Sequence, residues 1–175
     1  MKFFTYPLYS LPPKKVENYW TDLFKAGYME SRLCDIEGPL FDNVVRLMNT
    51  HGRSMYFVSV DGKLVGEFTL DNFTGKAAQI HFSTHPDLRF KDAVPLVRDV
   101  VDSIFDWTVK GKEEPYLNSL YGITPVTNRA ACIFVLKVGF EKQFILPSGM
   151  RDKGKVVDGM VSIYTRKRCS ARNTF

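Results

Sequence analysis

Apolar positions recur along this chain with two periods, and the switches between them mark out the elements. In "PPKKVENYWTDLFKAGYME" Val16, Tyr19, Trp20, Leu23 and Phe24 share one helical face, entered through prolines and left near Gly27. "GPLFDNVVRLMNTHG" repeats the pattern with Leu40, Val44, Leu47 and Met48 and stops at Gly52. The longest helix is "KDAVPLVRDVVDSIFDWTVKG", with Val97, Val100, Val101, Ile104 and Phe105 facing inward. Between these helices the pattern tightens. "SMYFVSV", "KLVGEFTLDNF" and "KAAQIHFSTHP" are rich in aromatic and β-branched residues and are joined at Asp61-Gly62 and Thr74-Gly75, which predicts three consecutive antiparallel strands.

The stretch "TNRAACIFVLKVGF" is a short helix with both ends marked. Ala131, Phe134, Val135 and Val138 form its apolar face, Thr127 is placed to cap its start, and Lys137 suits the negative last turn. Gly139 stands where a residue of positive φ ends a helix, and Phe140 folds back on the last turn. "KFFTYPLY", "YLNSLYGITPV", "EKQFILPSGM" and "KVVDGMVSIYTRKR" read as strands. The predicted order is β-α-α-β-β-β-α-β-α-β-β: an α/β fold with a mixed sheet and helices on both faces. The strands flanking the longest helix should be parallel neighbours, because a helical crossover joins them.

Composition narrows the class. The chain has 175 residues, 45% hydrophobic and 14% aromatic, enough to bury one core, so we expect a single domain over residues 1–165. No apolar run approaches a membrane span, and the proline-broken start is not a secretory leader. Cys34, Cys132 and Cys169 are widely spaced and form no paired motif. That points to a reducing, cytoplasmic setting without disulfides, and no metal site is expected. The net charge is +5, and Arg166, Lys167, Arg168 and Arg172 give residues 166–175 the character of a basic tail. Such a tail is either a contact for nucleic acid or a solvated end.

The element order, together with Asn128, Ala131, Lys137, Gly139 and Phe140 at the spacing of a family motif, resembles the GNAT superfamily of acyl-CoA-dependent N-acyltransferases over nearly the whole chain. The resemblance implies that acetyl-CoA lies between two splayed parallel strands, with its pyrophosphate on the start of the following helix. On this sequence the residues concerned are Ile80 and Phe82 on the strand, Arg89, Phe90 and Lys91 in the loop "HPDLRFKDAVPL", and Asn128. Two departures from the family pattern stand out. The loop carries Phe90, Asp92 and Val94 where glycines are expected, with Asp92 placed to cap a helix beginning near Ala93 and Pro95 in its first turn. The Tyr that protonates the leaving thiolate in many members is replaced by Val135, beside Phe134.

Among the remaining side chains, Glu67 is either a general base for an amine acceptor or a solvent-facing residue of an alternating strand. His81 and His85 are four apart at a strand end and its loop, where a surface role fits better than metal ligation. Tyr121 is either a ligand contact or a sheet aromatic. Two functions follow. One is an N-acyltransferase with a degenerate pyrophosphate loop that takes an amine acceptor. The other is a non-catalytic GNAT-fold protein that binds a protein partner, resembling the divergent members that bacterial viruses use in the particle or its assembly. The second would work in a host cytoplasm or a virion.

Overall fold

The computed structural model describes residues 2–27, 52–152 and 154–166. The expected helix bearing Leu40 to Met48 lies outside them, as do Cys34, Cys169 and the tail beyond Arg166. The strands are β1 (Phe3–Pro7), β2 (Ser54–Val60), β3 (Lys63–Thr74), β4 (Ala77–Thr84), β5 (Ser119–Pro125), β6 (Glu141–Asp152) and β7 (Lys155–Thr165). The helices are α1 (Pro13–Lys25), α2 (Phe90–Ile104) and α3 (Arg129–Val138), with a 3-10 turn at Leu8–Ser10.

The turns form where the chain tolerates positive φ. Asp61 and Gly62, at 50° and 79°, make the two-residue turn whose twist matches a right-handed hairpin. Gly75, at 59°, turns β3 into β4. Seven strands form one sheet in the order β1-β2-β3-β4-β5-β7-β6. All neighbouring pairs are antiparallel except β4 and β5, which run parallel across the α2 crossover, as expected.

Each sheet face is covered by the helix whose apolar stripe fits it. On one face α1 lays Val16, Tyr19, Trp20 and Leu23 over Phe57, Met55 and Leu64. Phe24 was expected in that stripe but stays 62% exposed, because the four preceding positions already span the narrow apolar strip beneath. On the opposite face Leu96, Val97, Val100, Val101 and Ile104 of α2 pack on Phe68, Leu70, Ile80 and Leu120, joined by Val135 and Val138 of α3. Burying each of these side chains contributes about 1.5–3 kcal/mol relative to leaving it in water. A cavity of about 20 Å³ remains between α2 and strands β2–β4, room for a single water at most. No helix among the described residues is long and apolar enough to cross a membrane.

Arg98 locks the two helices on this face together. Its Nε donates to the Val138 carbonyl at 2.9 Å and a terminal nitrogen donates to the Lys137 carbonyl at 2.5 Å. These are carbonyls that the end of α3 leaves without helical donors. At the far end of the sheet Arg166 donates to the Phe105 carbonyl and its amide bonds to Asn118, so this first basic residue of the expected tail is tied into the fold.

Candidate functional site

The parallel ladder between β4 and β5 is short. It runs over Ala77–Gln79 and Ser119–Tyr121 and stops, although β4 continues to Thr84 and β5 to Pro125. Beyond Gln79 and Tyr121 the two strands make no further pairs, although Gly122 still lies close to Ile80. A Cβ built on Gly122 would lie 3.7 Å from the Ile80 carbonyl oxygen, which places that oxygen on the β5 side of β4. Side chains alternate, so Ile80 and Phe82 point to the α2 face while Gln79, His81 and Ser83 point to the α1 face. The expected cofactor residues Ile80 and Phe82 therefore sit at the mouth of the split. Phe82 packs on Phe134 and Phe140 at centroid distances of 5.6 and 6.4 Å.

The loop after β4 differs from expectation. Helix α2 starts at Phe90 rather than near Ala93, its N-cap is Arg89, and no side chain caps it. Asp92 lies inside the first turn, its Oδ2 accepting from Arg89 Nε at 3.0 Å. The predicted Asp92 cap is thus replaced by an ion pair on the helix surface. The amides of Asp92 and Ala93 both reach the Arg89 carbonyl. That leaves the amides of Phe90 and Lys91 without a backbone acceptor among the described residues, at the positive end of the helix dipole. Pro95 lies beyond the first turn, inside the helix, where it has no amide to offer the Lys91 carbonyl. Phe90 is half exposed and meets Phe134 of α3 edge-on at 5.5 Å.

Asn128, not Thr127, caps α3: its Oδ1 accepts from the Ala131 amide at 3.1 Å. Thr127 instead reaches the Asp152 carboxylate, in the β6–β7 hairpin. Gly139 ends α3 at φ 123°, with its own amide and that of Phe140 both directed at the Val135 carbonyl. Val135 is buried at the expected position of the acid and has no proton to give.

Glu67 is not solvent-facing. It is 1% exposed beneath α1, and its Oε2 accepts the Trp20 indole N–H at 3.2 Å. This pair fastens α1 to β3, and it sets the carboxylate back from solvent.

The polar cluster at the closed end of the split is one that the sequence reading did not assemble. Asp71 of β3 is buried, and its two oxygens face different donors: Arg53 Nε at 3.0 Å on Oδ2 and His81 Nε2 at 3.2 Å on Oδ1. Burial favours its neutral acid, but the hydrogen bond and charge of His81 and the Arg53 guanidinium outweigh it and hold the carboxyl below its usual range. Beside it Asn72, at φ 46°, donates to Gln79 at 2.7 Å, and the Tyr121 hydroxyl donates to the Asn72 carbonyl at 3.3 Å. Burial and the Asp71 charge push the Tyr121 phenol up, so it remains a donor at neutral pH. A bulge in the β3–β4 hairpin, which its turn residues do not announce, builds this cluster. A register shift between Asp71 and Thr74 sets Thr69 opposite His81 and Asp71 opposite Gln79, which makes Asp71 and His81 diagonal neighbours on one face. His85 goes elsewhere, bonding to the Asp87 amide and packing on Tyr19. Among the described residues no three metal-ligating side chains converge.

No protein-family model matches the sequence, and no curated protein sequence matches it either. Solved structures do match in fold. The chain is similar to spermidine N-acetyltransferase from Vibrio cholerae in complex with CoA and spermine, at 16% identity and TM-score 0.69, covering 96% of this chain and 98% of that one. It is also similar to Mycobacterium smegmatis RimJ in complex with CoA-disulfide, at 15% identity and TM-score 0.69, over 95% and 83%. A third is Campylobacter jejuni N-acetyltransferase PseH in complex with acetyl coenzyme A, at 13% identity and TM-score 0.59, over 94% and 99%. The fold is that of the GNAT acetyltransferases.

Proposed function

We propose that this chain is an acyl-CoA-dependent N-acyltransferase acting on an amine. The observation that carries the reading is the split between β4 and β5, opened just past Gln79 and Tyr121 on a GNAT fold. The residues present fit such a cofactor in two places. The stretch of β4 past Ile80, which makes no pair with β5, would offer backbone groups to an amide-bearing arm. The start of α2 offers the Phe90 and Lys91 amides with the Arg89 and Lys91 cations to its phosphates. Bound there, the group would supply an acyl thioester open to attack by an amine. The chain's own part is to hold the arm in the strand gap, to present the acceptor from the α1 face, and to take its proton. Asn128 supports this by capping α3 beside the split, and holding the reactants together supplies much of the rate.

A second reading, a non-catalytic GNAT-fold binding or assembly protein of the kind viruses use, is favoured by one observation. Phe90 and Phe134 touch across α2 and α3, and neither Phe134 nor Val135 can act as an acid. Calorimetric titration with acetyl-CoA separates the two. The enzyme reading expects micromolar binding by the unmodified protein, weakened about tenfold by Arg89→Ala through loss of one charge-assisted bond. It also expects tightening by Asp92→Asn, which releases Arg89, and transfer of the acetyl group to spermine or to a peptide amino terminus by mass spectrometry. Binding seen only after Phe90→Ala, or by none of these proteins, would overturn the enzyme reading in favour of the second.

A further inference from the structure

We infer that His81, held by Asp71, is the group that takes the proton from the acceptor amine; this rests on the N-acyltransferase reading above. Position comes first. His81 lies two residues past the last β4–β5 pair, on the same face as Gln79, and its side chain is 45% exposed. It stands on the lip of the split, on the face opposite Phe82 and α2. Glu67, the other carboxyl-bearing candidate on this face, is enclosed beneath α1 and bonded to Trp20.

The tautomer follows from the partners. Asp71 is held in its ionised form, and an ionised carboxylate only accepts. In neutral His81 the proton must therefore sit on Nε2, where it is donated to Oδ1. The lone pair is left on Nδ1, and Nδ1 is the basic atom. One proton then moves. The N–H bond of an alkylammonium acceptor breaks, the electron pair stays on the amine nitrogen, and the proton joins Nδ1. The imidazolium so formed is stabilised by the Asp71 charge and returns its proton to water. Asp71 is a positioning residue in this account, and Arg53 positions Asp71.

The substitution Asp71→Asn separates shape from basicity. Arg53 can only donate, so Asp71→Asn must turn its carbonyl oxygen toward Arg53 and its NH₂ toward His81. Nε2 is then forced to accept, and the proton moves to Nδ1. The shape is kept and the base is blocked. Long-range ¹H–¹⁵N spectra of the apo protein at alkaline pH should show the Nε2–H form in the wild type and the Nδ1–H form in Asp71→Asn. Both His81→Gln and Asp71→Asn should lower kcat/KM for an alkylamine by about 10²–10⁴-fold with little change in acetyl-CoA affinity. For an amine already neutral at assay pH, such as trifluoroethylamine, the loss should be small, since no proton has to be removed before attack. A merely structural role would depress both acceptors equally. The same tautomer in both proteins, or equal losses for the two amines, or an undiminished His81→Gln enzyme, would overturn the inference while leaving the N-acyltransferase reading intact. A wild type that binds no acyl-CoA would instead remove that reading, and the role of His81 with it.

Discussion

Replacing Gly139 by Val tests the end of α3 and everything it holds. Gly139 sits at φ 123° and ψ 9°, outside the range a β-branched side chain adopts. Holding a non-glycine residue there costs about 1–3 kcal/mol, with Val at the upper end because both branches crowd the backbone. The alternative is for the backbone to relax. That would withdraw the two amides from the Val135 carbonyl and lift Phe140, which is 3% exposed, from its packing against Phe82 and Tyr164. Losing that contact costs a similar amount, so relaxation offers no escape. For a domain of this size each kcal/mol moves the melting temperature by about 2–4 °C, so Gly139→Val should melt roughly 6–12 °C below the wild type. Gly139→Ala, with one β-carbon, should fall between them. Thermal unfolding followed by circular dichroism reads both. A Gly139→Val protein that melts within about 2 °C of the wild type would refute the positive-φ account.

Asp71 makes stability depend on acid. Its folded value lies below the unfolded one, so its contribution is complete above about pH 4 and disappears as pH falls through the folded value. Urea midpoints should therefore drop more steeply below about pH 4 for the wild type than for Asp71→Asn; parallel curves would contradict the pairing. Arg98→Ala should lose about 1.5–3 kcal/mol, because the guanidinium serves two helix-end carbonyls, and Arg98→Lys should recover less than half of it. Equal melting of Arg98→Ala and the wild type would show that the contact carries no stability. Trp20→Phe keeps the ring and removes the donor to buried Glu67, which should cost about 1–3 kcal/mol by chemical denaturation. An unchanged midpoint would mean that Glu67 is served equally well without it.

Elements whose determinants are local were legible in the sequence. Asp61-Gly62 and Thr74-Gly75 announce their hairpins because few residues accept positive φ. The α2 stripe from Val97 to Ile104 repeats at one period over its whole length, and the parallel β4–β5 pair follows from the crossover. What failed depended on choices between nearby partners. Asp92 was a plausible cap until Arg89, three residues earlier, took its carboxylate. Thr127 and Asn128 are adjacent capping residues, and only the distant Asp152 decides which is free to cap. Glu67 alternates with apolar neighbours and so resembles a solvated position. Its burial is set by Trp20, which is 47 residues away in sequence. Asp71 and His81 belong to one hairpin, but counting from the turn sets them on opposite faces, and only the register shift between Asp71 and Thr74 brings them together. Arg53, which orients Asp71, enters from ahead of another strand.

The Arg98 contact has a mechanical meaning for the split. Strand β4 leads into α2 and β5 leads into α3, so the two helices are the continuations of the two lips. The Ala77–Gln79 ladder joins the two strands, and Arg98 joins the two helices that follow them. Strands joined directly and again through their helices are held as one unit. Widening the split would have to break the ladder or the Arg98 bonds. Arg98→Ala removes one of those two joins and leaves the other in place.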